Sequence, residues 1–138
     1  MRGPTRGIVH HIDLTVRDLA VSAPFYDALL SFLGYRRVKQ EAALHVWDLA
    51  PEGRLLAGVA LRAARSDRSH DRYSAGLHHL AFRAVDRADV DAAYSLMRAK
   101  GADILDPPAD YRQYGAGYYA VFLADPDGMK LEVVHFPG

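Results

Sequence analysis

One short phrase occurs twice in this chain. Gly7-Ile8-Val9-His10-His11-Ile12-Asp13-Leu14 returns as Ala75-Gly76-Leu77-His78-His79-Leu80-Ala81-Phe82, 68 positions on. At the same offset Asp18 falls on Asp86 and Tyr26 on Tyr94, and Gly34 meets Gly101 after a one-residue gap. Self-similarity at a fixed spacing marks a chain built from copies of one unit. Two units that both carry a histidine at one register imply a two-fold arrangement with a site between the halves. The bland alternative is shared ancestry without retained function.

Each unit reads as a strand, a helix and three further strands. Residues 9–16 alternate, with His11, Asp13 and Thr15 on one face and Ile12, Leu14 and Val16 on the other. Asp18 suits a helix N-cap, Leu19, Ser22, Tyr26, Leu29, Leu30 and Leu33 keep helical spacing, and Gly34 suits the position after the last turn. Pro24 inside that helix costs a backbone bond and predicts a kink. Strands are expected at 35–40, 43–49 and 55–63. In the second unit His79, Ala81 and Arg83 oppose Leu80, Phe82 and Ala84, Asp86 caps a helix closed by Gly101, and a short strand is expected at 102–105. A loop over 106–115 and strands at 118–124 and 129–136 complete it. Asp125-Pro126-Asp127-Gly128 joins the last two strands as a turn, and Ala50-Pro51-Glu52-Gly53 is its first-unit counterpart. The units span 7–63 and 76–138, joined by an Arg-, Ser- and Asp-rich linker at 64–75 whose His70 and Asp71 read as solvated. The whole is one α+β domain of two tandem βαβββ modules forming a curved mixed sheet.

Composition narrows the function. The 17 basic and 17 acidic side chains balance, so no net field favours nucleic acid or an anionic membrane. Cysteine is absent, which removes thiolate nucleophiles and thiolate metal sites. The apolar run 55–61 is too short to span a bilayer, and residues 1–6 have no apolar core behind them, so no secretory leader is read there. A soluble cytoplasmic protein acting on a small molecule is expected.

Strand parity places the chemistry. Each helix must cover one sheet face, and the Ile12/Leu14/Val16 and Leu80/Phe82 faces are the apolar ones. His11 and His79 then point the other way. On the last strand Leu131 and Val133 suit the helix side, which leaves Lys130, Glu132 and Val134 opposite. Modules side by side, within one chain or across two, would bring His11, His79 and Glu132 into one concavity. Two imidazoles and a carboxylate with open positions form a facial divalent-metal site.

His11-Ile12-Asp13-Leu14-Thr15-Val16-Arg17-Asp18-Leu19, followed by Phe25-Tyr26, resembles the opening of the vicinal oxygen chelate superfamily. His79-Leu80-Ala81-Phe82 and Asp125-Pro126-Asp127-Gly128-Met129-Lys130-Leu131-Glu132 resemble its second-module motifs. That group includes glyoxalase I, fosfomycin and bleomycin resistance proteins, and extradiol dioxygenases. The resemblance implies a homodimer and a divalent metal ion (Fe, Mn, Zn, Ni or Co) held by His11, His79 and Glu132, with Glu132 also able to move a proton. Members like glyoxalase I carry a fourth ligand on the last strand of the first module. Aligning the turns puts Ala57 there, or Gly58 or Val59 after a slip, and none of these ligates. The departure favours three-ligand members and leaves room for a metal-free binding protein.

Other residues complete the expectation. His45 and Trp47 share a strand face and either line the cavity or pack ordinarily. Tyr111, Tyr114, Tyr118 and Tyr119 surround a glycine-containing loop, as a lid over substrate or an aromatic edge cluster. Arg83, with the parity of His79, either holds an anionic substrate or sits on the surface. Asp13 orients a ligand or bonds structurally. His10 and His78 are expected as packed or hydrogen-bonded core histidines rather than ligands. The function expected is a lyase, isomerase, dioxygenase or antibiotic-modifying enzyme that chelates its substrate through vicinal oxygens. Its rivals are a non-catalytic protein that sequesters a flat ligand or antibiotic and a regulatory domain that keeps only the fold.

Overall fold

In a computed structural model, the described residues are 6–138; the leader reading at residues 1–5 lies outside them. β1 (His11–Val16) alternates in burial as it does in sequence: Leu14 and Val16 are buried, while His11, Asp13 and Thr15 are exposed. The Asp18 carboxylate then accepts the Ala20 amide at 3.0 Å and starts α1 (Leu19–Phe32). The helix closes with a Schellman motif: Tyr35 N–H donates to Leu30 O at 2.8 Å and Gly34 N–H to Ser31 O at 3.1 Å, with Gly34 at φ 96°. Pro24 lies within the continuous helix on its exposed side, where water can serve the carbonyl that proline leaves without a donor. β2 (Arg36–Glu41), β3 (Leu44–Leu49) and β4 (Ala57–Ala63) complete a sheet ordered β1-β4-β3-β2.

The second module repeats these devices. β5 (His79–Arg83) leads to α2 (Arg87–Ala99), whose cap Asp86 accepts the Asp89 amide at 2.7 Å. Its C-terminus repeats the Schellman pair, Ala102 N–H to Met97 O and Gly101 N–H to Arg98 O, both at 3.0 Å. β6 (Asp103–Asp110), β7 (Tyr119–Ala124) and β8 (Lys130–His135) give the order β5-β8-β7-β6. In both sheets the first strand runs parallel to the last and the remaining pairs are antiparallel. The architecture is therefore two four-stranded mixed sheets with one helix each. β6 is longer than the expected strand at 102–105 and runs through Pro107 and Pro108. It can do so because it is an edge strand, and its register shifts between Ile104 and Asp106 and again before Ala109.

One core joins the modules on their helix sides. Leu14, Val16, Tyr26, Leu29 and Leu30 belong to the same buried cluster as Val90, Met97, Leu131 and Val133. Its polar fastening is the Tyr26 hydroxyl, which donates to Asp125 Oδ2 at 2.6 Å. The other Asp125 oxygen accepts the amides of Asp127 at 2.9 Å and Met129 at 2.8 Å, shaping the β7–β8 turn. From that turn Asp127 Oδ2 accepts the Arg17 amide at 2.9 Å, at the end of β1. Among the described residues no helix is long and apolar enough to cross a membrane.

Burial lifts the Asp125 carboxyl above the ordinary carboxylate range, although Tyr26 and the two amides pull it down. A raised folded-state pKa means this group favours folding most below its unfolded value, and that advantage is lost as pH rises through the folded value. Tyr26→Phe removes the donor that favours the carboxylate and raises the pKa further. The variant should lose about 1–3 kcal/mol at neutral pH, and the loss should shrink in acid. Chemical denaturation of both proteins across pH reads this directly. A difference independent of pH would mean that Tyr26 acts only by packing.

Candidate functional site

The sheet faces away from the helices carry the polar chemistry. Register defines them, since paired residues share a face. In the second sheet Phe122 pairs with Glu132, Ala120 with Val134, and Lys130 with both His79 and Ala124. This face presents His79, Arg83, Phe122, Lys130 and Glu132. Glu132 is 2% exposed, yet its carboxylate is fully engaged. Oε1 meets His79 Nε2 at 3.1 Å, and Oε2 accepts the Tyr118 hydroxyl in a short hydrogen bond. His79 continues the chain, its Nδ1 lying 2.8 Å from His78 Nδ1. One ring of that pair carries its proton on Nδ1 and the other does not.

An aromatic wall stands beside this chain. Tyr111 stacks on Tyr114 at 5.9 Å and meets Phe122 edge-on at 5.4 Å, and Tyr114 meets Tyr118 at 5.2 Å. Tyr118 in turn packs on Phe136 at 5.5 Å. Gly115 at φ 144° makes the packing possible, because a Cβ there would lie 2.6 Å from the Phe136 ring. Lys130 Nζ sits 4.5 Å from the centre of Phe122. Arg83 is exposed and has no ion-pair partner among the described residues. Phe122 and Lys130 were not assigned roles from sequence; their parity with Glu132 was the available signal.

The first sheet offers a simpler face. His11, Asp13, Leu44, Val46, Ala60 and Arg62 line a hollow of about 270 Å³. The His11 side chain is 62% exposed, with Nε2 3.9 Å from Asp13 Oδ1 and Nδ1 2.9 Å from His10 Nδ1. Asp13 itself takes Arg62 Nε at 2.6 Å. The His-His contact is thus duplicated along with the motif. His10 and His78 are hydrogen-bonded, as expected of one alternative, but exposed, which corrects the expectation of a core position: both precede their strands and escape the alternation.

Four further placements follow. Within one chain His79, Glu132 and Tyr118 come together, but no group of three His, Asp or Glu side chains able to hold a metal occurs among the described residues. His11 stands on the other sheet. His45 and Trp47 pair with Leu61 and Val59 on the helix side, so they do not face either concavity. Trp47 is fully buried, donating Nε1–H to Asp27 Oδ1 at 2.8 Å under Arg37. The first-module counterpart of Glu132 is Ala60, not Ala57, Gly58 or Val59. His11 pairs with Gly58 as His79 pairs with Lys130, and two residues on lie Ala60 and Glu132. The turn alignment misleads because Arg54, Leu55 and Leu56 intervene between the first-module turn and β4.

The chemistry of the donors fits a divalent cation in part. An imidazole nitrogen and a carboxylate oxygen face each other, and a buried carboxylate with only a phenol and an imidazole beside it calls for positive charge. A third donor has to come from outside the chain's own second sheet.

Comparison with known proteins agrees with this architecture. Residues 8–133 match the model of the Glyoxalase/Bleomycin resistance protein/Dioxygenase superfamily. The chain is 33% identical to the uncharacterized protein YqjT of Bacillus subtilis (strain 168), over 91% of this chain and 97% of that one. It is likewise 33% identical to the uncharacterized protein YaeR of Escherichia coli (strain K12), over 91% of this chain and 93% of that one. Among solved structures it is similar to a glyoxalase/bleomycin resistance protein from Albidiferax ferrireducens T118. The TM-score there is 0.73 and the identity 27%, covering 95% of this chain and 100% of the other.

The Tyr118 hydroxyl is held well above the ordinary phenol range, first by burial and then by its hydrogen bond to Glu132 and that group's charge. Glu132→Gln removes the charge and should move the Tyr118 titration down toward the ordinary range. Ultraviolet phenolate titration, with Tyr118→Phe identifying the transition, measures it. No change would show that burial alone sets the shift.

Proposed function

The chain belongs to the Glyoxalase/Bleomycin resistance protein/Dioxygenase superfamily, and on that premise we propose that it is a metal-dependent enzyme. Its site would combine His79 and Glu132 of one copy with His11 of a second copy in a homodimer. The observation that carries the reading is the Tyr118–Glu132–His79 chain, which fixes two potential donors on the sheet face away from the helix, His79 partly exposed and Glu132 buried beside it. The residue at the same register in the other module, His11, stands exposed on an uncovered face of its own. Two such faces in each of two copies complete one another by two-fold symmetry, each copy giving what the other lacks.

When bound, a divalent ion would act as a Lewis acid toward two neighbouring oxygens of a small substrate. The protein's own groups do the rest. Tyr118 holds one oxygen of Glu132 and so fixes the carboxylate's rotation. Glu132 would move a proton only if it leaves the metal transiently, Oε1 being the oxygen not held by Tyr118. Arg83 and Lys130 offer positive charge to an anionic substrate, and Tyr111 and Tyr114 provide a flat apolar wall. His45 and Trp47, facing the helix, fall outside this set. The aromatic wall also favours one second reading, a non-catalytic protein that holds a flat ligand against Tyr111 and Tyr114.

Complementation tests the assembly. His11→Ala and Glu132→Gln should each lose metal, measured by elemental analysis of purified protein. After unfolding and refolding together, the mixture should recover about a quarter of the wild-type sites, because half the dimers are mixed and each rebuilds one site. A monomer by light scattering, or no recovery, would overturn the shared site.

Ala60 adds no fourth donor, so coordination positions stay open for a bidentate substrate. Turnover of the methylglyoxal–glutathione hemithioacetal should therefore be weak or absent with Ni, Co, Zn or Mn. Rates in the usual enzyme range, on the order of 1–1000 per second, with any of these would restore a glyoxalase I reaction. Metal binding without turnover of any vicinal-oxygen substrate would favour the sequestering protein.

A further inference from the structure

The linker does more than join the modules. Residues 64–77 fold back against the end of β1 and the β7–β8 turn and enclose a hollow of about 770 Å³. Three arginines line it: Arg17 from the end of β1, and Arg65 and Arg68 from the linker. Three arginines elsewhere pair with carboxylates, Arg37 with Asp27 at 3.4 Å, Arg62 with Asp13 at 2.6 Å and Arg87 with Asp110 at 2.8 Å. None of the three around this hollow has such a pair among the described residues. Arg65 and Arg68 have neither an ion-pair nor a hydrogen-bond partner among the described residues. Arg17 is held by neutral groups, its Nη2 donating to the Asp67 carbonyl and Ser69 Oγ, both at 3.2 Å. That fixes the guanidinium in place without neutralising it.

Two carboxylates share the lining, and both are already engaged. Asp71 accepts the Tyr73 amide at 3.0 Å and Ser74 Oγ at 2.7 Å. Asp127 accepts the Arg17 amide at 2.9 Å. Both accept from neutral donors and so keep their charge, but neither is ion-paired with an arginine of the hollow, and three guanidinium forks outnumber two carboxylates at one concave surface.

We propose that this hollow binds a phosphate-type oxyanion, free or carried on a small molecule. Planar forks with several donors match the oxygens of a phosphoryl group, and Arg gives the bidentate geometry that recognises it. The hydroxyls of Ser66, Ser69 and Thr15 add neutral donors around the same space. The site is separate from the Glu132 chain and needs no metal.

The test is calorimetric titration of the full chain with inorganic phosphate, pyrophosphate and phenyl phosphate at low ionic strength. Citrate provides a polycarboxylate arm. Wild type should bind at least one of the phosphates saturably, one per chain, and release it as salt rises. Arg65→Ala/Arg68→Ala should weaken that binding by about tenfold or more, as loss of bidentate charged contacts implies. Arg36→Ala, on the exposed edge of the first sheet, should leave it unchanged. The phosphate that binds best distinguishes a free anion from a phosphorylated small molecule. Thermal melts confirm that the variants fold. If the double alanine variant does not, Arg65→Lys/Arg68→Lys keeps the charge, loses the forks and should bind more weakly than wild type. No saturable binding at millimolar phosphate, equal binding by the variants, or citrate binding as tightly as any phosphate would overturn the proposal.

Discussion

A single buried hydrogen bond, Tyr26 to Asp125, ties together elements 99 residues apart. Its consequences spread outward through the turn it stabilises. Asp125 can accept Tyr26 only while its other oxygen organises the amides of Asp127 and Met129. That conformation brings Asp127 to the Arg17 amide at the end of β1. It also sets where β8 begins, and hence that Glu132, not a neighbour, meets His79. An uncapped carboxylate at this depth would be costly, so the turn and the helix that carries Tyr26 hold each other in place. The Phe-Tyr and Asp-Pro-Asp-Gly segments are thus a structural fastening between modules, and the site's geometry depends on them.

Much of this could be read from the residues. The repeat gave the two modules, and both helix caps with both closing glycines fall where the pattern puts them, because local hydrogen bonding decides them. Alternation in β1, β5 and β8 separated His11, His79 and Glu132 from the apolar faces, since a helix must cover one side of each sheet. These are short-range constraints, and short-range constraints are visible in sequence.

What escaped was set by longer connections. His45 and Trp47 share a face, but which face depends on how β3 registers with β4, and β3 carries no helix-covering signal of its own. Trp47 looks like a ligand platform until Asp27 and Arg37 are seen to hold it in the core. The counterpart of Glu132 moved from Ala57 to Ala60 because the two modules reach their last strands through connections of different length. Tyr118 reads as one of several aromatics, and only the approach of β7 to β8 reveals that it holds the Glu132 carboxylate. Whether His11 joins His79 was open from sequence for the same reason: parity assigns faces and says nothing about which faces meet.

The His78–His79–Glu132–Tyr118 chain constrains what His79 can do. With Nε2 donating to Glu132, its Nδ1 must accept from His78. A cation taken on Nε2 would require that nitrogen to lose its proton and its bond to Glu132, and the proton of His79 would then sit on Nδ1, donating to His78. His78 can serve in either case, as acceptor or donor, because its own Nε2 can take the complementary proton. The exposed neighbour thereby lets the half-buried histidine change tautomer without leaving a nitrogen unpaired. The same Nδ1–Nδ1 contact recurs at His10 and His11. A doubled histidine in each module is thus more than a trace of duplication. In each pair one Nδ1 donates and the other accepts, and the strand histidine stands on the sheet face away from the helix.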